Sequence, residues 1–254
     1  MKLLKDILAR LFALWALLWF VATMLLILLP TWVMGLLPEP TRTRWFIGLS
    51  RIWMGIFLPL AGVRLRITGR EHFKKGQNYV VVCNHNSFMD VPVTSPGIPG
   101  GNKTIAKIEM ARIPLFGLIY RRGSVLVDRK SEESRMRSYA YMKEVLAMGL
   151  HMCIYPEGTR NRTPHPLKEF KDGAFRLAIE TQKPIIPAVL FRTKQVLPQH
   201  RFFYFWPGPI EMHFLPPVET AGLIPDHTKE LKEKIFAQMW SFIENSKADQ
   251  RGRL

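Results

Sequence analysis

A histidine and an aspartate with a spacing suited to acid–base chemistry follow the apolar run Val80-Val81-Val82-Cys83. His85 comes two residues after this run, and Asp90 comes five residues after His85. An imidazole at the end of a strand can act as a general base, and a carboxylate can hold its tautomer and stabilise the imidazolium. On a continuous helix, five residues turn through about 500°, which would put the two side chains on different faces. We therefore expect His85 to lie in a loop and the next helix to begin after it.

A second polar turn follows the apolar run that ends at Ile154-Tyr155. It reads Pro156-Glu157-Gly158-Thr159-Arg160, with Arg162 close behind. An arginine presents a fork of donors that suits phosphate oxygens. Ligands of open α/β sheets bind where strands end and loops begin, so both turns are candidate site segments. The alternative interpretation of the two arginines is a pair of solvated loop charges.

Other chemistry at these residues is less well supported. Cys83 is close to His85, but a buried structural thiol is the more common role for such a cysteine. His85 and Asp90 have no third partner at a recognisable metal-ligand spacing, so we expect no metal site. With only 2 cysteines, Cys83 and Cys153, a disulfide framework is not expected either.

Predicted strands and helices alternate along the part of the chain that must position these residues, as in an α/β protein. Short apolar runs bounded by Gly, Pro or Asn predict strands at Leu65–Thr68, Tyr79–Cys83, Thr104–Ala106, Val125–Val127, Met152–Tyr155, Ile185–Phe191 and Ile210–Leu215. Helical spacing of apolar residues predicts helices at Ser131–Gly149, Asp172–Gln182 and His227–Lys247. The fold class we expect is a mixed sheet flanked by helices. The aromatic and Pro-rich segment Pro198–Pro217 suggests a hairpin.

The N-terminal part of the chain has a different composition. The segment from Leu11 to Leu37 contains no charged residue. It is longer than the ~20 residues that a helix needs to span a bilayer. A second apolar stretch, Trp45–Val63, is interrupted by Arg51 and Pro59. We expect residues 1–63 to form two membrane-anchoring helices and residues 64–254 to form the α/β domain. A cleaved signal peptide is the alternative, but no small-residue cleavage site follows the apolar run. The sequence does not decide between a single crossing of the membrane and a hairpin of the two helices.

Composition limits the partners. The chain has 254 residues and is 48% hydrophobic, which excludes a disordered protein. Its formal net charge is +16, which implies an anionic partner such as a lipid surface, a phosphorylated substrate or nucleic acid. No zinc finger or RNP-like strand pair supports a nucleic-acid binder.

Taken together, the motifs resemble those of the glycerophosphate and lysophospholipid acyltransferases, and most closely those of the 1-acyl-sn-glycerol-3-phosphate acyltransferases. The resemblance covers about Val63 to Leu215, in the order of the family's blocks, together with the apolar N-terminus. The matching residues are Asn84, His85 and Asp90; Lys107 and Pro114–Gly117; Gly123 and Val127-Asp128-Arg129; Glu157-Gly158-Thr159-Arg160; Phe170-Lys171, Gly173 and Ala174; and Pro184–Pro187. The segment Pro92–Gly101 departs from the family's pattern.

The resemblance implies acyl transfer from an acyl thioester, carried by CoA or acyl-carrier protein, to the hydroxyl of 1-acylglycerol 3-phosphate, giving phosphatidic acid. It implies His85 as the base, oriented by Asp90, and a phosphate clamp of Lys107, Arg129 and Arg160. Asn84, Glu157, Gly158 and Thr159 are expected to support the motifs. No metal or other cofactor is implied, because the thioester is already activated.

The implied substrates also suggest a location. Both thioester carriers are cytosolic and the acceptor is a lipid, so we expect a membrane protein with its catalytic domain on the cytoplasmic face. Alternative functions are acylation of glycerol 3-phosphate or another lysolipid, and a non-catalytic basic protein that binds membrane lipids.

Overall fold

A seven-stranded mixed sheet forms the centre of the molecule. The computed structural model describes residues 2–251. The strand order is β1-β7-β6-β2-β5-β3-β4. The strands are β1 Val63–Thr68, β2 Val80–Cys83, β3 Asn102–Lys107, β4 Ser124–Val127, β5 His151–Ile154, β6 Ile185–Phe191 and β7 Gly208–Phe214. Strands β6, β2, β5, β3 and β4 run parallel, whereas β7 is antiparallel to β6 and parallel to β1. The expected mixed sheet is confirmed.

Helices cover both faces of this sheet. They are α1 Lys2–Met34, α2 Thr41–Leu60, α3 Asp90–Gly97, α4 Phe116–Arg122, α5 Glu132–Ala147, α6 Gly173–Glu180, α7 Thr193–Val196 and α8 Thr228–Arg251. The three helices predicted from apolar spacing correspond to α5, α6 and α8. Helix α5 begins where expected, because the Ser131 hydroxyl accepts a hydrogen bond from the Ser134 N–H at 3.1 Å.

Two cores lie on opposite faces of the sheet. Val81 and Cys83 of β2 pack into one core with α1 and α2, while Val80 and Val82 pack into the other with α5, α6 and α8. Alternate residues of a strand point to opposite faces, so a strand covered on both sides must be apolar throughout. This explains why β2 reads as an unbroken apolar run leading to the polar residues after it.

The N-terminal segment contains two helices, but only one of them has the length and apolar character to cross a membrane. That helix is α1, which turns small residues such as Ala9, Ala13 and Ala16 towards the protein and leaves most of its leucines exposed. The expectation of two membrane helices therefore needs correction for α2. Its Arg51 donates to the carbonyls of Pro96 (3.0 Å), Ile98 and Gly100 (both 2.7 Å), which fastens α2 to the sheet domain.

The boundary proposed near residue 63 coincides with the start of β1. Helices α1 and α2 nevertheless share a core with the sheet, in which Trp53 and Phe57 lie with Val81. The division into residues 1–63 and 64–254 stays a prediction.

The predicted hairpin at Pro198–Pro217 is wrong. Only β7 lies in this segment, and its antiparallel partner is β6, which precedes the segment in the chain. The residues between α7 and β7 form a loop that contacts the site described next.

Candidate active site

Four neighbouring parallel strands bring the predicted site residues to one edge of the sheet. In spatial order these strands are β2, β5, β3 and β4, and parallel strands end at the same edge. His85 follows β2, Glu157 and Arg160 follow β5, Lys107 ends β3 and Arg129 follows β4. This carboxyl edge is where ligands of open α/β sheets bind.

His85 and Asp90 form a hydrogen-bonded pair. His85 lies in the loop 84–89 and α3 begins at Asp90, as the five-residue spacing requires. The imidazole Nδ1 lies 2.7 Å from Asp90 Oδ2. The same oxygen accepts hydrogen bonds from the N–H groups of Asn86 at 2.6 Å and Ser87 at 2.8 Å. Asp90 is fully buried, whereas the His85 side chain is 18% exposed.

This geometry fixes the tautomer of His85. A carboxylate oxygen only accepts, so the Nδ1 proton of His85 points at Asp90 and Nε2 is left with its lone pair. The ring of Tyr155 stacks on the imidazole at 4.4 Å between centroids and an interplanar angle of 25°. The pair can therefore accept a proton from a hydroxyl that approaches Nε2.

Glu157 joins the His85 loop to the turn after β5. One of its oxygens accepts from the His85 N–H at 2.7 Å, and the other accepts from the Lys168 N–H at 3.0 Å. Burial raises the pKa of Glu157 to about 7, against the lowering effect of these two N–H donors. The N–H of Asn161 also donates to the His85 carbonyl at 2.7 Å. Glu157 is thus a brace between two loops.

Asn84, Gly158 and Thr159 each have a structural role in the loops around His85. The Asn84 amide bonds to both backbone groups of Leu190, which ties the start of the loop 84–89 to β6. Gly158 has a φ of +72°, a left-handed conformation that favours glycine. Thr159 accepts a hydrogen bond from Lys168 Nζ at 3.0 Å.

The three cations of the expected phosphate clamp, Arg160, Arg129 and Lys107, lie in three different environments. The Arg160 guanidinium lies 3.7 Å from the ring centroid of Phe88, which is between His85 and Asp90 in the chain. Arg129 donates to the Gly158 carbonyl, so it touches the same turn. Lys107 is exposed at the end of β3 and pairs with Glu109 at 2.8 Å. The structure brings Arg160 and Arg129 to the loops around His85, and Lys107 to the same edge of the sheet.

Sequence reasoning missed a residue that links both loops. The Gln199 amide nitrogen donates to the carbonyls of Asn86 at 2.9 Å and Asn161 at 2.8 Å. Its carbonyl oxygen accepts from Arg162 Nε at 3.3 Å. Tyr155 was also missed, since a tyrosine at a strand end carries no distinguishing signal. Gln199 lies 113 residues from Asn86, so no local pattern could have revealed it.

Cys83 does not have the setting of a nucleophile. It is fully buried, and its sulfur lies 3.9 Å from that of Cys153. Burial raises the pKa of the Cys83 thiol well above its usual range, which suppresses the reactive thiolate. Among the side chains that the structure describes, no three from acidic, histidine or cysteine residues come together as metal ligands would.

The fold and the site define a class: an α/β protein with a hydrogen-bonded histidine–aspartate pair at the carboxyl edge of its sheet and arginines beside it. Comparison with known proteins makes the class specific. The family model described as Acyltransferase matches residues 64–190. Human 1-acyl-sn-glycerol-3-phosphate acyltransferase alpha is 32% identical over 201 residues, which cover 76% of this chain and 68% of that protein.

A more distant sequence relative and a solved structure are also similar to this chain. The 1-acyl-sn-glycerol-3-phosphate acyltransferase of Haemophilus influenzae is 27% identical over 190 residues, covering 73% of this chain and 76% of that protein. The crystal structure of the 1-acyl-sn-glycerophosphate (LPA) acyltransferase PlsC from Thermotoga maritima has the same fold, with a TM-score of 0.78, 23% identity and 98% coverage of both chains. The chain belongs to the Acyltransferase family, and it is an enzyme of acyl transfer in lipid synthesis.

Proposed function

We propose that this enzyme transfers a fatty acyl group from an acyl thioester to the free hydroxyl of 1-acylglycerol 3-phosphate, forming phosphatidic acid. The observation that carries the proposal is the 2.7 Å contact between His85 Nδ1 and the buried Asp90 carboxylate. The human and Haemophilus influenzae relatives are 1-acyl-sn-glycerol-3-phosphate acyltransferases, which supports this choice of acceptor.

His85 is the general base of the proposed step. Its Nε2 takes the proton of the acceptor hydroxyl while that oxygen attacks the carbonyl carbon of the thioester. The new C–O ester bond forms, the C–S bond breaks, and the departing thiolate takes the proton from His85. Asp90 keeps the ring oriented and stabilises its positive charge. The proposed step uses no metal and no resident cofactor, because the donor is already activated.

Arg160, Arg129 and Lys107 are the proposed partners of the acceptor phosphate. Arginine forks match phosphate oxygens, and Arg160 lies beside Phe88 of the catalytic loop. Binding the phosphate would place the acceptor hydroxyl near Nε2, and such positioning lowers a barrier by several kcal/mol, up to about 7–11 in ideal cases. Asn84, Glu157, Gly158 and Thr159 would hold the two loops in register.

The enzyme would work at the membrane with its catalytic domain on the cytoplasmic face. The exposed leucines of α1 support membrane association. Acyl-CoA and acyl-carrier protein are the two candidate donors, and both are cytosolic. A hairpin or in-plane arrangement of α1 and α2 would keep the His85 edge on that side. Protease accessibility of the domain in sealed vesicles tests this: cleavage only from the luminal or periplasmic side would contradict it.

A product assay tests the reaction itself. The detergent-purified protein is offered both thioester carriers, each with 1-acylglycerol 3-phosphate, glycerol 3-phosphate or a lysolipid without a phosphate monoester, and the lipid formed is identified by mass spectrometry. We expect phosphatidic acid from 1-acylglycerol 3-phosphate at the highest kcat/KM. A higher kcat/KM for glycerol 3-phosphate would replace the proposed acceptor.

A further inference from the structure

A basic pocket lies at the opposite edge of the sheet from His85. It has a volume of about 310 Å³, and Arg42, Lys103, Arg121, Arg122 and Tyr141 are among the residues that line it. Lys103 is near the amino end of β3, whereas Lys107 of the proposed clamp is at the carboxyl end of the same strand. The pocket is therefore separate from the proposed acceptor site.

One carboxylate faces the cations of this pocket. Glu39 Oε1 lies 2.9 Å from Arg42 Nη2 and 3.2 Å from Lys103 Nζ. Its other oxygen accepts from the hydroxyl and the N–H of Thr43, at 2.7 and 3.3 Å. Glu39 is thus fully engaged: its single negative charge is in contact with Arg42 and Lys103 and also acts on Arg122.

The two arginines at the end of α4, Arg121 and Arg122, form no ion pair among the residues that the structure describes. Arg121 donates to the Ala111 carbonyl at 3.1 Å, and the buried Nε of Arg122 has no hydrogen-bond partner among the residues that the structure describes. Lys103 is almost completely buried and also donates to the Arg122 carbonyl at 2.8 Å. Burial lowers the pKa of both Lys103 and Arg122, and the charge of Arg42 lowers each further. Lys103 is paired with Glu39, but neither the partly buried Arg122 nor the exposed Arg121 forms an ion pair with a carboxylate among the residues that the structure describes. The cluster therefore has room for a further anion.

The pocket lies next to membrane-facing structure. A side chain on Gly35, in the turn between α1 and α2, would overlap the Arg122 guanidinium. Trp32 just before this turn and Trp45 in the first turns of α2 are both exposed. Tryptophans are enriched at the membrane–water interface, where lipid phosphates also lie.

We propose that this pocket binds a phosphate group carried by an anionic lipid headgroup. The phosphate supplies the negative charge that Glu39 leaves unbalanced, and the Arg121 and Arg122 guanidinium groups supply forked donors for its oxygens. Bound there, it holds the turn between α1 and α2 against the amino ends of β3 and β4. This proposal concerns binding and does not depend on the identity of the acyl acceptor.

Thermal unfolding of the full chain in neutral detergent micelles tests the proposal. Phosphatidylglycerol is added at rising mole fraction, with phosphatidylcholine as the zwitterionic reference, whose phosphate charge is balanced by its own choline. Phosphatidylglycerol is used because it is neither the proposed acceptor nor the proposed product. We expect phosphatidylglycerol to raise the unfolding midpoint. In Arg121→Gln/Arg122→Gln, half-saturation should need about tenfold more lipid, the cost of losing a charge-assisted hydrogen bond.

Matched variants separate the pocket from general charge. Lys229→Gln/Lys234→Gln removes the same formal charge from exposed positions on α8 and should keep the wild-type response. If the double arginine variant does not fold, the exposed Arg121→Gln alone should still weaken the response. A wild-type response in the folded arginine variants would overturn the proposal. An equal midpoint shift by millimolar inorganic phosphate without lipid would overturn the headgroup as the source.

Discussion

The two edges of the sheet hold buried charge in different ways. At the carboxyl edge, Asp90 Oδ2 accepts from one imidazole and two backbone N–H groups, and each oxygen of Glu157 accepts from a backbone N–H. At the amino edge, Lys103 and Arg122 lie among cations that share one carboxylate, Glu39. An anion held by fixed backbone donors is a permanent part of the structure, whereas several cations around one carboxylate suit a ligand that comes and goes.

The largest effect at the carboxyl edge is expected from removal of the proposed base, His85. His85→Ala should lower kcat by about 10³-fold, since a positioned general base contributes 10²- to 10⁴-fold. The fold should survive, because Asp90 keeps two of its three donors. Product formation and the thermal unfolding midpoint are measured together. Turnover near that of the wild type would contradict the assigned base.

A companion variant tests whether the carboxylate orients the ring. Asp90→Asn should lower kcat through a misoriented imidazole and leave the KM for the acceptor little changed, because Asp90 is fully buried and its Oδ2 contacts the imidazole and two backbone N–H groups. A rise in KM with unchanged kcat would instead place Asp90 in acceptor binding.

The cost of burying Glu157 can be measured as a pH-dependent stability. Its pKa is about 7 in the folded protein, above its ordinary value of 4.5, so the folded state binds the proton more tightly than the unfolded state. The stabilising contribution is therefore complete below pH 4.5 and is lost as the pH rises through 7. The expected loss is up to about 3 kcal/mol, at 1.36 kcal/mol for each pKa unit.

The titration of His151 also makes the stability depend on pH, so the effect of Glu157 must be measured as a difference between two proteins. Burial lowers the pKa of His151 to about 4 from 6.5, so its contribution has the opposite sign and is lost as the pH falls through 4. Urea unfolding of wild type and Glu157→Gln in micelles between pH 4.5 and 7.5 isolates the carboxyl group. The wild type should lose stability relative to the variant as the pH rises. Parallel pH profiles would show that Glu157 is ionised at no cost.

Much of the carboxyl edge could be predicted from sequence, because its signals are local. An apolar strand such as β2 must be covered on both faces, and the five-residue spacing of His85 and Asp90 requires a loop followed by a helix start. The order of the strands and the reversed direction of β7 could not be predicted, because they depend on which distant runs pair. The role of Arg51 was hidden for the same reason: its three carbonyl partners lie 45–49 residues away.

Cations at the carboxyl edge are expected to serve the acceptor, unlike those at the amino edge. Arg160→Ala should lower kcat/KM for a phosphate-bearing acceptor by about 10–100-fold, the range for a lost charge-assisted hydrogen bond. Hydrolysis of the thioester by water should change much less, because a phosphate clamp acts on the acceptor and not on the donor. Both rates are measured on the same preparation. An equal fall in the two rates would point to donor binding or folding.

The smallest expected effect concerns how the carboxyl edge is kept rigid. Gln199 fixes the His85 loop and the Arg160 loop by donating to the carbonyls of Asn86 and Asn161. Gln199→Leu keeps the size of the side chain and removes both donors, so kcat should fall by about tenfold, which corresponds to roughly 0.7 kcal/mol for each of the two hydrogen bonds. Because Gln199 touches the two loops through their backbones, the KM for the thioester should change little.

Two further variants decide whether Gln199 acts through its hydrogen bonds. Gln199→Glu keeps the shape and the acceptor oxygen but has no N–H to donate, so it should lose as much kcat as Gln199→Leu. Gln195→Leu, at an exposed position on α7, is the matched control and should behave as the wild type. If Gln199→Glu retains full kcat, the contact with Arg162 is the one that matters. If kcat and the unfolding midpoint fall together, Gln199 stabilises the whole fold and the two loops need no separate brace.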